Sequence, residues 1–136
     1  KNFLQYVDDD FYDGTIFHRV IPNFMIQGGG FSPGMIQKDT REPIINESRN
    51  RLHNVRGTIS MARLSDPDSA SAQFFINERT NLRLDWSPGT PGYTVFGEVI
   101  SGMNVVDWIA ISKTTTYGNF EDVPIEPIKI IDIFRN

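Results

Sequence analysis

The sequence contains no cysteine and only two histidines, His18 and His53. The absence of cysteine excludes disulfides, zinc fingers, iron–sulfur clusters and a thiol nucleophile, and it leaves the redox compartment open. The two histidines lie far apart in the sequence, and neither belongs to a cluster with metal-ligand spacing, so no metal site is predicted. The fold must therefore be stabilised by packing alone.

Long apolar runs and an excess of positive charge are also missing. No stretch approaches the roughly 18 apolar residues of a membrane span, so no membrane partner is expected. Thirteen Lys and Arg residues stand against seventeen Asp and Glu residues, which gives a net charge of −4 at pH 7. Such a chain lacks the basic field that attracts phosphate backbones, so nucleic acid is not expected as a partner either.

The length and composition are those of one globular domain. The chain has 136 residues, of which 39% are hydrophobic and 22% charged, and domains are typically built from about 100 to 150 residues. We predict a single domain over residues 1–136 with one packed core.

Short β-prone runs separated by glycine and proline dominate the chain. The strand candidates are residues 15–20, 24–27, 58–62, 73–76, 93–100 and 128–134. Strand alternation would place Gln73 and Phe75 on one face of a sheet and Phe74 and Ile76 on the other. Residues 32–55 are polar and aperiodic, which favours a long surface loop.

Two helices and one glycine turn complete the prediction. A short helix ends near Asp8, and a second begins after a capping Ser101 and carries Met103 and Val106 on one apolar stripe. The triple glycine at 28–30 lacks the Lys-Ser/Thr that follows a phosphate-binding loop, so a tight turn is the better interpretation. Many short strands with two helices favour a mainly-β barrel or sandwich.

One segment stands out chemically, because residues 17–29 embed a single cation, Arg19, among apolar and aromatic residues. Alone, this arginine is equally well explained as an edge-strand residue stacked on a phenylalanine. The same segment is followed, in order, by three further blocks: Ser60-Met61-Ala62, Gln73-Phe74-Phe75-Ile76-Asn77 and Val95-Phe96-Gly97.

Together these four blocks resemble the cyclophilin family of peptidyl-prolyl cis/trans isomerases, and their residues are most similar to those of the bacterial members. The resemblance implies a cyclophilin-like antiparallel β-barrel, eight-stranded in the complete domain, that is capped by two helices and carries a peptide groove on its outer face. The resemblance covers the whole chain, but the chain lacks the family's N-terminal hairpin. We therefore expect residues 1–136 to be an N-terminally incomplete domain.

The resemblance also implies roles for individual residues. Arg19 would be the catalytic arginine, assisted by Phe24 and Gln27. The remaining positions would bind the substrate, through the proline pocket, the peptide backbone or the pocket's closing wall: Met25, Ala62, Arg63, Gln73, Phe75, Leu84 and Tyr93.

One departure from the family lies just before Leu84. The family usually has Trp or Phe there, an aromatic residue that helps to hold cyclosporin, whereas this chain has Arg83. Cyclosporin binding is therefore expected to be weakened, while the proline pocket should be less affected. Trp86, two residues beyond Leu84, is a candidate substitute whose direction the sequence does not decide.

The reaction implied by the resemblance suits the absences noted above. Rotation about a peptide bond makes and breaks no covalent bond, so it needs no nucleophile, metal or cofactor. The expected activity is non-covalent, arginine-assisted isomerisation of Xaa-Pro bonds that assists protein folding, with proline-containing peptides and unfolded proteins as partners. We expect a monomer, and we favour a cytoplasmic location, with the periplasm left open because the N-terminus is not seen.

Two other functions fit less well. A proline-peptide-binding module or chaperone would use the same groove with little isomerase activity. An unrelated small-ligand β-barrel would bind inside the barrel rather than on its outer face.

Overall fold

The computed structural model describes all 136 residues and contains two α-helices, nine short strands and two 3₁₀ turns. The helices are α1 (Asn2–Asp8) and α2 (Met103–Ala110), and the 3₁₀ turns are Ser48–Asn50 and Leu82–Leu84. The strands are β1 (Phe17–Ile21), β2 (Met25–Gly28), β3 (Phe31–Ser32), β4 (Ile36–Gln37), β5 (Thr58–Met61), β6 (Phe74–Asn77), β7 (Val95–Glu98), β8 (Thr114–Tyr117) and β9 (Phe120–Pro124). Neither helix has the length and apolarity needed to cross a membrane.

Five strands form one antiparallel sheet in the order β1-β2-β6-β5-β7. Strands β3 and β4 form a small separate hairpin, as do β8 and β9, and β9 packs against β1. The predicted mainly-β architecture with two helices is confirmed.

The register of the sheet places four residues in one row. Arg19 on β1 pairs with Gln27 on β2, Gln27 pairs with Phe75 on β6, and Phe75 pairs with Ser60 on β5. Directly paired residues on neighbouring strands share a face of the sheet. The row therefore carries a cation, an amide and an aromatic ring on the same side.

The opposite face of the sheet carries the main core. Val20 and Ile26 pack against Val106 and Ala110 of α2, which lies across this face. A second cluster joins α1 to Tyr12, in the loop that follows α1, and to Phe74 of β6. The predicted alternation, with Phe74 and Ile76 on the core side and Phe75 on the other, is confirmed.

Most element boundaries agree with the sequence prediction to within a few residues, but two predictions were wrong. Ser101 does not cap α2, because the capping position is Gly102 with φ +98° and no side chain caps the helix. Residues 128–134 are not a strand: apart from a single bridge between Lys129 and Ile16, no strand pairs with this segment. Its backbone hydrogen bonds go instead to Gly14, Thr15 and Phe17.

Two further elements were not expected from the sequence. The loop predicted over residues 32–55 contains part of the β3–β4 hairpin, and residues 114–124 form the β8–β9 hairpin. The triple glycine forms the predicted turn, between β2 and β3, with Gly29 at φ +84°.

Candidate functional site

A pocket of about 200 Å³ lies on the face of the sheet away from the main core. It is lined by nine of the ten residues that the sequence singled out: Arg19, Phe24, Met25, Gln27, Ala62, Arg63, Phe75, Leu84 and Tyr93. The tenth, Gln73, lines an adjoining cavity of about 160 Å³ that shares Gln27, Ala62 and Arg63 with the first. The structure thus brings all ten residues into one continuous groove.

The floor of the pocket is carried by strands. Met25 and Phe75 are 2% and 4% exposed and pack with Ala62 in a small apolar cluster. Because these side chains project from paired strands, their positions are fixed by the sheet register. The floor is an apolar surface built on β2 and β6, with Ala62 directly after β5.

Arg19 supplies the positive charge at the mouth of this pocket. Its side chain is exposed and forms no ion pair with the protein. The preceding residue, His18, is buried on the other face against Phe31, with ring centroids 4.6 Å apart. Burial, together with the charge of Arg19, lowers the pKa of His18 to about 4, so His18 is neutral at pH 7.

Two amide side chains lie beside the arginine. Gln27 Nε2 donates a hydrogen bond to Gln73 Oε1 over 3.0 Å. No hydrogen bond joins Gln27 to Arg19. Gly30 makes room for this pair, because a Cβ at Gly30 would lie 2.5 Å from Gln73 Cγ.

Arg63 and Tyr93 form one wall. The Arg63 guanidinium lies 4.5 Å from the centre of the Tyr93 ring and donates to the carbonyl oxygens of Pro91 and Gly92. Tyr93 in turn meets Phe75 edge to face, with ring centroids 5.8 Å apart. The side chain of Arg63 is therefore used to brace the wall.

Ala62 offers less to a substrate than the sequence suggested. Its backbone N–H already donates to the carbonyl oxygen of Gln73 over 3.0 Å. An extended peptide lying along this edge cannot use this N–H, whereas the backbone N–H of Arg63 donates to no group of the protein.

The other wall is a turn rather than a strand. Leu84 ends the Leu82–Leu84 turn, and its carbonyl oxygen accepts a hydrogen bond from Tyr93 N–H over 2.8 Å. Gly92 is required here, since a Cβ at this position would lie 2.4 Å from the backbone atoms Asp85 C and Trp86 N. The backbone of residues 84–86 thus packs directly on Gly92.

Asp85 attaches this turn to the protein interior. Its Oδ1 accepts hydrogen bonds from the backbone N–H and side-chain Nδ2 of Asn54, at 2.7 and 2.9 Å, and its Oδ2 lies 2.8 Å from His53 Nδ1. Partial burial acts to raise the pKa of Asp85, but the hydrogen bonds from Asn54 and His53 outweigh it and hold the pKa below the ordinary value. Asp85 is therefore ionised and fully bonded within the protein.

A buried polar network continues from Asp85 to the sheet. Asn54 Oδ1 accepts from Ser60 Oγ and Asn77 Nδ2, and Asn81 Nδ2 donates to Asn77 Oδ1 and to the carbonyl oxygen of Phe24. Sequence reasoning missed this network. In the sequence, the network is marked only by polar residues near the ends of strands. Such residues are more simply expected to be exposed to solvent.

Arg83 and Trp86 lie on opposite sides of the turn. The Arg83 guanidinium lies 5.3 Å from the centre of the Phe24 ring, at the rim of the pocket. Trp86 does not line the pocket: it belongs to a separate open cavity of about 650 Å³ with His53, where Arg49 lies over its ring at 4.9 Å. Trp86 is therefore not a substitute for the aromatic residue that Arg83 replaces.

A larger groove of about 300 Å³ lies beside the first residues of α1, lined in part by Phe3, Ile59 and Phe96. It shares Arg63 with the smaller pocket but lacks Arg19, Gln27 and Phe75. The smaller pocket is therefore the better candidate site.

Comparison with known proteins points to one family. Residues 1–134 match the family model described as cyclophilin type peptidyl-prolyl cis-trans isomerase/CLD. A peptidyl-prolyl cis-trans isomerase of Acinetobacter baylyi is 59% identical over 133 residues, which cover 98% of this chain and 71% of the relative. Peptidyl-prolyl cis-trans isomerase B of Escherichia coli is 55% identical, covering 96% of this chain and 81% of the relative.

A solved structure agrees with this result. A cyclophilin-type peptidyl-prolyl cis-trans isomerase of Cryptosporidium parvum, crystallised in the presence of the dipeptide Ala-Pro, superimposes with a TM-score of 0.74 at 27% identity. The superposition covers 99% of this chain and 83% of the other. Sequence and fold thus lead to the same group of proteins.

Proposed function

This chain belongs to the cyclophilin-type peptidyl-prolyl cis-trans isomerase family, and from that premise we propose how its own residues accelerate rotation about Xaa-Pro bonds. The chain is a peptidyl-prolyl cis-trans isomerase that binds proline-containing peptides. The observation that carries the assignment of roles is the position of Arg19 at the mouth of an apolar pocket floored by Met25 and Phe75.

The energetic demand on the site is modest. Amide resonance holds the rotational barrier at about 18–20 kcal/mol. A barrier of about 19 kcal/mol gives an uncatalysed rate of roughly 0.06 per second, so about 10³ per second requires lowering it by some 5–6 kcal/mol. A few interactions that strengthen in the twisted state are sufficient.

Arg19 is proposed as the catalytic residue. When the bond twists, the prolyl nitrogen loses conjugation with the carbonyl group and recovers a lone pair. A guanidinium beside it donates a hydrogen bond that is stronger in the twisted state than in the planar ground state, which is the condition for lowering a barrier. Because Arg19 has no ion-pair partner in the protein, its donors are free for this contact.

The apolar pocket is proposed to hold the proline ring. Phe24, Met25, Phe75, Leu84 and Tyr93 would enclose the ring and exclude water around the rotating bond. Exclusion of water lowers the local dielectric constant, which strengthens the hydrogen bond from Arg19.

The amide pair and the strand edge are proposed to hold the peptide backbone. With Gln27 Nε2 bonded to Gln73 Oε1, the groups that stay available are Gln27 Oε1 and Gln73 Nε2. They provide one acceptor and one donor for the residues before proline, and the carbonyl oxygens at Ala62 and Arg63 offer acceptors to an extended peptide. Holding one side of the bond still lets the other side rotate.

We further propose unfolded proteins as clients, a monomeric state, and weakened binding of cyclosporin because Arg83 replaces an aromatic residue. A non-catalytic proline-binding module is the alternative, but no observation on the site favours it. The groove lies on the face of the sheet opposite the main core, which argues against a ligand held inside a barrel.

The test is catalysis of exchange in a blocked peptide with a single Ala-Pro bond, followed by NMR exchange spectroscopy. Saturable acceleration of cis/trans exchange is the expected result. Binding of the peptide with an unchanged exchange rate would instead identify the non-catalytic module.

A further inference from the structure

A free arginine stands at one end of the groove. Arg83 is exposed, lies against the Phe24 ring, and makes no hydrogen bond or ion pair within the protein. Its neighbour in sequence, Leu84, lines the proline pocket. Arg83 thus stands one residue from the wall of the proline pocket that Leu84 forms, and Leu84 does not line the adjoining cavity that contains Gln73.

The acidic side chain nearest in sequence cannot neutralise this arginine. Both oxygens of Asp85 are engaged, Oδ1 by Asn54 and Oδ2 by His53. The charge on Arg83 is therefore available to a molecule in the groove.

The sequence segment that ends at Arg83 is basic. Residues 49–83 contain six arginines against three acidic residues, although the chain as a whole has a net charge of −4. Three of the six are tied to protein partners: Arg56 to Asp107, Arg63 to backbone carbonyls, and Arg79 to Asn23.

Arg49, like Arg83, lies on an aromatic ring and forms no ion pair. Cations without an ion-pair partner therefore lie at the rim of the groove, where Arg83 stands, and beyond the turn, where Arg49 of the Ser48–Asn50 turn covers Trp86.

The two ends of the groove differ in whether their cation is already bonded. At the Gln73 end, Gln37, Ser69 and Ser71 are neutral, and the guanidinium of Arg63 donates to the carbonyl oxygens of Leu64, Pro91 and Gly92. At the other end stands Arg83, with its guanidinium held over the Phe24 ring and thus partly ordered before any substrate binds.

We infer that Arg83 is a specificity-determining residue, which favours substrates with an aspartate or glutamate flanking the Xaa-Pro bond on the Leu84 side of the groove. The inference rests on the proposed function of the groove. Since Arg83 lies beyond the ring pocket, it acts on substrate choice and not on the rotation itself.

The experiment uses three blocked peptides with one Ala-Pro bond. The first has glutamine at both flanking positions, the second has glutamate before Ala-Pro, and the third has glutamate after it. NMR exchange gives kcat/KM for each peptide with the unaltered protein, with Arg83→Gln, and with the matched control Lys113→Gln. Lys113 precedes β8 and lines no part of the groove, and Lys113→Gln removes one positive charge, as Arg83→Gln does.

One glutamate peptide should exceed the glutamine peptide by about 2- to 5-fold in kcat/KM at low ionic strength, as expected for an exposed ion pair. The preference should fall to about 1 in Arg83→Gln, persist in Lys113→Gln, and shrink in about 1 M salt, where the screening length is about 3 Å.

Equal rates for all three peptides with the unaltered protein, or a glutamate preference that survives in Arg83→Gln, would overturn the inference. Either result leaves the proposed function standing as long as the glutamine peptide is turned over. Loss of catalysis on every peptide by the unaltered protein would contradict the proposed function itself.

Discussion

Gln27 and Gln73 are joined by a hydrogen bond from Nε2 of the first to Oε1 of the second, 3.0 Å long. The bond links the middle of β2 to the residue that precedes β6, across the groove floor. Each amide orients the other, so the pair presents one acceptor and one donor at fixed positions. Neither side chain is free to rotate without losing this bond.

Gly30→Ala should disturb this pair without touching the pocket itself. The new Cβ would lie 2.5–2.6 Å from Gln73 Cγ, Cδ and Nε2, so the side chain must move away. Loss of one neutral hydrogen bond is worth about 0.5–1.5 kcal/mol, which predicts a fall in kcat/KM of about 2- to 12-fold. The measurement is kcat/KM on an Ala-Pro peptide, with the thermal midpoint recorded beside it.

A double-mutant cycle provides the control for this prediction. In a Gln73→Ala background, Gly30→Ala has no long side chain to displace and should cost little further activity. Equal losses in both backgrounds would show that Gly30 acts through something other than Gln73.

Arg19→Ala should reduce turnover far more than peptide affinity. A hydrogen bond from a charged group is worth about 1.5–3 kcal/mol, so we expect kcat to fall by about 10- to 150-fold. The dissociation constant, from chemical-shift titration with the same peptide, should change by less than about 3-fold, as expected for a contact made mainly in the transition state. Arg41→Ala, which removes an exposed arginine paired with Asp9, is the matched control. A parallel loss of kcat and affinity would contradict the role given to Arg19.

Asp85→Ala should weaken both stability and the pocket wall. The substitution leaves the backbone N–H of buried Asn54 without its acceptor and leaves Nδ2 with the Tyr93 carbonyl oxygen alone, at a cost of about 1–3 kcal/mol in the free energy of unfolding. It also releases Leu84, so KM should rise more than kcat falls. Urea unfolding and Michaelis kinetics measure the two effects.

His53→Ala separates the two partners of Asp85. The imidazole is exposed, so its removal should change the free energy of unfolding by less than about 1 kcal/mol. A larger loss in His53→Ala than in Asp85→Ala would show that the anchor is the surface pair and not Asn54.

The folded protein should lose stability between about pH 6.5 and pH 4. The pKa of His18 is about 4 in the fold against 6.5 in the unfolded chain, because its ring is buried and the charge of Arg19 lies beside it. Within this interval the unfolded chain binds more protons, so the free energy of unfolding falls as the pH falls, by about 3 kcal/mol at most.

Urea unfolding at a series of pH values tests this, with His18→Gln as the comparison. The variant cannot take up a proton at this position, so its stability should depend less on pH in the same interval. The depressed pKa of Asp85 acts below its ordinary value of 3.8 and so outside this range. An unchanged slope in His18→Gln would assign the effect to another group.

The strand-borne part of the site was predictable because period-two alternation fixes which side chains share a face. Gln73 and Phe75 were placed together by this rule, and Arg19 and Gln27 follow from the same sheet register. The resemblance to cyclophilins added the loop positions Leu84 and Tyr93, which no local periodicity marks.

The cytoplasmic location stays a prediction.

The parts that could not be predicted depend on contacts distant in sequence. Asn54 meets Asp85 and Asn77 only after the sheet has formed, so no local pattern marks it as buried. The 128–134 segment has the alternation of a strand, but a strand also needs a partner, and only Ile16 pairs with it. At α2, Ser101 was predicted to cap the helix, whereas the N-cap is Gly102 at φ +98° and no side chain caps the helix.

The anchoring of the Leu82–Leu84 turn separates two properties of the groove. The strands hold the arginine and the ring pocket, whereas the turn is attached through the side chain of Asp85 and the close approach of Gly92. Exposed positions on the turn, such as Arg83, do not take part in either attachment. The rim of the groove can therefore vary independently of its floor: substitutions at the exposed residues 82 and 83 would change what the rim offers a substrate and leave the strands that carry Arg19 unaltered.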